Sequence, residues 1–124
     1  MESLFINLSK ILKLQNQALA ELLEAARAHN NALRKNDIKL ILATAYKQEE
    51  ITRKLIDQDK RRAEIQKKLA VKYGLGEKPT LNVLLSHASK ATAGELKDLA
   101  RSLKASLKQV DEMKKFNNIL ARRG

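Results

Sequence analysis

From Asp37 to Tyr73 the chain runs 37 residues without a glycine or proline. Most of them are strong helix formers: Ala, Leu, Lys, Arg, Glu and Gln. A stripe recurs at helical spacing through Ile38, Ile41/Leu42, Ala45, Thr52, Leu55/Ile56, Ala63, Leu69/Ala70 and Tyr73. Steps that alternate between three and four residues put these side chains on one face of a helix. At 1.5 Å per residue the helix reaches roughly 55 Å, several times the mean globular length. A rod of that length cannot bury its stripe alone. The spacing therefore predicts the middle arm of an antiparallel helical bundle.

The segments on either side supply the partners. Leu8, Leu12, Gln15, Leu19, Leu22, Ala26, His29 and Leu33 step by four and three, the seam spacing of a coiled-coil-like arm. Leu4, Phe5, Ile11 and Leu23 widen that stripe. Asn36 tolerates a left-handed turn and Asp37 is a good N-cap, so a tight antiparallel connection is predicted there. After Tyr73, Gly74 is placed as a left-handed C-cap, and Pro79 delays the next helix. Thr80 can cap a short helix carrying Leu81, Val83, Leu84 and Leu85. Thr92 and Glu95 have capping-box spacing for the last long helix.

That last helix carries the cleanest repeat. Leu96, Leu103, Val110 and Asn117 fall seven apart, interleaved with Leu99, Ser106, Met113 and Leu120. Arg101, Lys108, Lys115 and Arg122 repeat on the opposite face. The expected fold is all-α: an antiparallel bundle of three long helices plus one short one, with coiled-coil-like packing. The expected organisation is a single helical domain over 1–124, with helices near 3–34, 37–73, 80–88 and 93–122. Asn117 on the seam is expected to fix register at a cost in stability, so Asn117→Leu is expected to stabilise the protein.

Composition fits this and narrows function. Aromatics are only 3% and Trp is absent, which suits Leu, Ile and Ala packing between helices. The absence of Cys excludes disulfides and thiolate metal sites. No apolar run is long enough for a membrane span. Ser3–Leu14, interrupted by Asn7, Ser9 and Lys10, does not have the build of a signal peptide. A cytoplasmic location is expected.

Catalysis has little support. His29 and His87 lie far apart without ligand-spaced partners, and His29 falls on the seam as a packed core histidine. Gly74-x-Gly76 lacks the third glycine and the strand of a dinucleotide site. Glu49/Glu50 and Asp57/Asp59 read as a solvated face among lysines. No enzyme, cofactor or metal is expected.

The net charge of +11 favours acidic partners. Lys60-Arg61-Arg62, Lys67-Lys68, Lys114-Lys115 and Arg122-Arg123 could neutralise phosphates, but none of the four aromatics sits inside a basic cluster. A basic helical adaptor for nucleic acid is thus the lesser reading. Phe116 and Ile119 are the large apolar residues of the last helix outside its seam. With Leu107 and Leu120 they are expected to border an open apolar surface, unless the short Leu81–Leu85 helix or a further C-terminal segment covers them. An uncovered face of this kind also makes a homo-oligomer conceivable.

The order of these features resembles the FlgN family of flagellar export chaperones. The resemblance rests on the leucine-rich first helix, the Asn36-Asp37 turn, Glu49 mid-arm and Arg62 in the second helix. It also rests on the Gly/Pro break, Thr80-Leu-x-x-Leu84-Leu85 and the late Asn117-x-x-Leu120. The chain departs from the family at Lys114, where an asparagine is usual, and its basic balance is unusual for an export chaperone. The resemblance implies a protein that shields C-terminal amphipathic helices of hook–filament junction proteins before type III secretion, with Leu107, Phe116, Ile119 and Leu120 as the expected client-binding residues. It also implies delivery to the export gate, through a segment that family members carry beyond the position of Gly124 and that is expected to be missing here. Another secretion substrate is the alternative client.

Overall fold

The computed structural model describes residues 2–123. Its elements are α1 (Glu2–Lys35), α2 (Ile38–Tyr73), α3 (Leu81–Leu85) and α4 (Lys90–Arg123). The fold is the expected all-α bundle, and no strand occurs among the described residues. Helices α1 and α4 run parallel and α2 runs antiparallel to both, as Ser9–Glu95, Asn30–Asn117 and His29–Thr44 pairings show.

The turns are made by the residues suited to them. Asn36 takes φ 54°, while Asp37 N–H donates to Ala32 O at 3.0 Å and closes α1. Asp37 then caps α2, its carboxylate accepting from Leu40 N–H at 3.2 Å. Asp37→Ala should cost about 1 kcal/mol, the usual value of a lost N-cap, read as a lower denaturation midpoint with unchanged slope. At the far end Gly74 takes φ 63°, and Leu75 N–H reaches Ala70 O at 2.9 Å. Thr80 caps α3 through Val83 N–H.

Helix α4 begins earlier than the capping-box spacing predicts. Ser89 accepts from Thr92 N–H at 3.3 Å, so the helix opens at Lys90 rather than near 93. Glu95 is thereby inside the helix, where it takes Lys13 and Ser9 of α1 as partners. Helix α3 ends at Leu85, short of the expected 88.

The larger correction concerns the centre of the bundle, which is α1 and not the Asp37–Tyr73 arm. Helix α1 packs against both α2 and α4 and sits between them. The reason is its circumference. Phe5, Leu12, Leu19 and Ala26 form one buried column with a seven-residue repeat, and Ile11, Ala18, Ala25 and Ala32 form a second. Ser9, Leu23 and Asn30 are buried on the side toward α4. Helix α2 has no comparable breadth, burying only Ile51, Gln58, Leu69 and Ala70.

The contact between α1 and α4 is polar as well as apolar. The expected seam residues Leu96, Leu103, Val110 and Asn117 are all buried. Beside them Ser9 donates to Glu95 at 3.0 Å and Asn16 donates to Leu99 O at 3.1 Å. Asn30 donates to Asn117 Oδ1 at 2.9 Å, and Asn117 donates to Ala26 O at 2.9 Å. Each bond has a fixed height along both helices, so sliding α4 by one turn would break the set.

Candidate functional site

Helix α2 carries two stripes, and the sequence-predicted pattern takes members from both: its Leu55, Leu69 and Tyr73 lie on the seam with α1, Tyr73 against Phe5, while most of the rest turn away from it. Against α1 lie Ile51, Gln58 and Leu69, all buried, with half-buried Thr44, Leu55 and Ile65. The other stripe, Ile38, Leu42, Ala45, Thr52, Ile56 and Ala63, is rotated by about a quarter turn on the 100°-per-residue helix. Within it Ile38, Leu42, Ile56 and Ala63 are exposed. No helix among the described residues covers that stripe.

The uncovered stripe forms one wall of an open groove between α2 and α4, with α1 as its floor. Its main part has a volume of about 440 Å³, with Gln15 and Leu19 below, Thr52, Leu55 and Ile56 on one side, and Leu103 and Leu107 on the other. Further hollows along the same two helices take it past Gln48 and Lys114 toward His29, Ala45 and Ala121. Ile56 is 53% exposed and Leu107 51% exposed on the two walls. Gln15 is buried in the floor, and its Oε1 has no hydrogen-bond partner among the described residues.

The four expected client-binding residues do not share this groove. Leu107 lines it, but Phe116 stands nine residues further on, half a turn round α4. Phe116 borders a shallow hollow with Leu23 and Met113 on the opposite flank. Phe116 and Ile119 are about half exposed, and Leu120 is half-buried. Helix α3 does not cover them. It packs against α2, where His87 next to it stacks on Tyr73 at 4.3 Å, at the end of the bundle remote from Phe116.

The titratable groups behave as supports. Glu49, Asp57 and Asp59 each pair with an arginine one turn on, at 3.6, 3.2 and 2.5 Å. Among the described residues no His, Cys, Asp and Glu group could hold a metal ion. Lys13 and Ser9 hold the Glu95 carboxylate below its ordinary range.

His29 closes one end of the groove, with Nδ1 2.6 Å from Thr44 Oγ1. That hydroxyl's one proton is shared between Leu40 O and Ile41 O, which leaves its oxygen to accept from an imidazole N–H. Burial lowers the His29 pKa from 6.5, against an opposing hydrogen bond to Ile41. The folded protein thus binds fewer protons than the unfolded chain. The His29 contribution is complete above pH 6.5 and is lost as pH falls from there through the lowered value of the folded state. The melting temperature should fall between pH 7.5 and 5.5, with a shallower slope for His29→Gln. Equal slopes would mean that His29 titrates as in the unfolded chain.

No helix among the described residues is long and apolar enough to cross a membrane. No curated protein and no solved structure shows significant similarity to the chain. The family model described as FlgN protein matches residues 1–124, the whole length. The chain therefore belongs to the FlgN family of flagellar export chaperones.

Proposed function

We propose that this chain binds the C-terminal amphipathic helices of hook–filament junction subunits in the cytoplasm and shields them before type III secretion. The client helix lies in the groove between α2 and α4. One observation carries the reading: α2 presents a second apolar stripe that no helix among the described residues covers, facing Leu107 across an open trough. An amphipathic helix in isolation exposes the same kind of stripe, and laying it in a groove removes both from water.

A second reading places the client on the outer flank of α4, against Phe116, Ile119 and Leu120. It has half-exposed aromatic and aliphatic surface in its favour. Aromatic anchors often dominate helix recognition.

Calorimetric titration with a junction-protein C-terminal peptide tests the function. Saturable one-site binding that survives 0.5 M salt supports it. A nucleic-acid adaptor would instead bind oligonucleotide and lose several orders of magnitude over that salt range. No binding of the peptide at any salt would refute the proposed role.

A further inference from the structure

The groove is apolar along its walls but not neutral at its edges. Glu49 and Asp59 are the carboxylates along it, and each is already paired with an arginine of its own helix. Lys60 on the α2 wall and Lys114 on the α4 wall have no carboxylate partner among the described residues. The two ammonium groups therefore edge an apolar trough, one on each side.

We propose that the groove selects amphipathic helices whose apolar face is bordered by Asp and Glu. The occupant's apolar residues meet Ile56 and Leu107, and its flanking carboxylates meet Lys60 on one edge and Lys114 on the other. Charge complementarity identifies this occupant against two others. A second copy of this chain would bring another net +11 to edges that are already basic, and like charges at an interface oppose association. A nucleic acid would satisfy the lysines but leave the apolar walls wet. The inference rests on the groove being the client site, and it adds the charge class of the client.

The test uses the full chain and two designed helical peptides of about 20 residues. They share one Leu/Ala face, and their flanking positions are Glu in one and Gln in the other. The Glu peptide should bind about tenfold tighter at low salt, since each exposed pair contributes a fraction of this and the two act together. The gap should close at high salt, where such pairs are screened. Lys60→Gln with Lys114→Gln should bring the ratio of the two affinities close to one. Equal binding of the two peptides to the unaltered chain would overturn the charge selection while leaving the groove reading intact. Binding of neither peptide would overturn both. Displacement of the Glu peptide by a single-stranded oligonucleotide of equal charge would assign the lysines to phosphate instead.

Discussion

Asn117→Leu should destabilise the protein by about 1–3 kcal/mol, the cost of leaving a buried polar group unpaired. For a chain of this size that is a fall in Tm of roughly 3–5 °C per kcal/mol. Heptad position alone gives the opposite sign, because a seam asparagine usually weakens a bundle. The difference is Asn30. It is buried, and its Nδ2 donates to Asn117 Oδ1, so a leucine at 117 strands that buried amide without its acceptor. The added apolar surface does not recover what the stranded donor loses. Replacing both asparagines by leucine removes the orphan and should restore or exceed the original stability. A double-mutant cycle should then give a coupling of about 1–3 kcal/mol between the two sites. A single leucine variant that melts higher than the unaltered protein would show that the amide pair contributes nothing.

The part of the fold that local chemistry decides could be read directly. Asp37, Gly74 and Thr80 are residues whose side chains, or lack of one, favour one backbone state. The α4 seam was equally legible, since Leu96, Leu103, Val110 and Asn117 have no competing apolar column in that helix. Which helix lies in the middle was not. That depends on how much of each helix's circumference is apolar, and the small residues Ala18, Ala25 and Ala32 carry little hydrophobic signal although they permit close packing. The partner of Asn117 was hidden for a similar reason. Ser9, Leu23 and Asn30 share a column with Asn16, but only packing against α4 turns that column into an interface.

The candidate site was half legible for an instructive reason. The periodic stripe read from α2 is real, and three of its members, Ile38, Leu42 and Ile56, are more than half exposed. Periodicity finds an apolar face without saying what covers it. Leu55 and Leu69 of the seam belong to that stripe, but the rest of the seam was masked because Gln58 and Thr44 take seam positions, where polar residues interrupt the pattern. On α4 the reading joined Leu107 to Phe116, which a helix places on opposite sides.

Ile56→Ala combined with Leu107→Ala should weaken binding of a junction-protein C-terminal peptide about thirtyfold. That factor corresponds to about 2 kcal/mol, the scale of losing central apolar anchors of an interface. Because both side chains are about half exposed in the free protein, their truncation removes only part of a full burial term. Alanine's better helix propensity offsets some of that loss, so Tm should move by only a few degrees. Phe116→Ala with Ile119→Ala is the matched control on the other flank of α4, and there the affinity should change less than threefold. A reversed pattern would move the client to the Phe116 flank. A loss in both pairs together with a collapse of Tm would trace the effect to folding.

The central claim is that the uncovered α2 stripe is a receptor surface. Amide chemical-shift mapping of the full 124-residue chain during titration with the junction peptide tests it most directly. The largest shifts should fall on Ala45, Thr52 and Ile56 of α2 and on Leu103 and Leu107 of α4, while Phe116 and Ile119 stay in place. Shifts confined to Leu23, Met113, Phe116 and Ile119, with the α2 stripe silent, would contradict it.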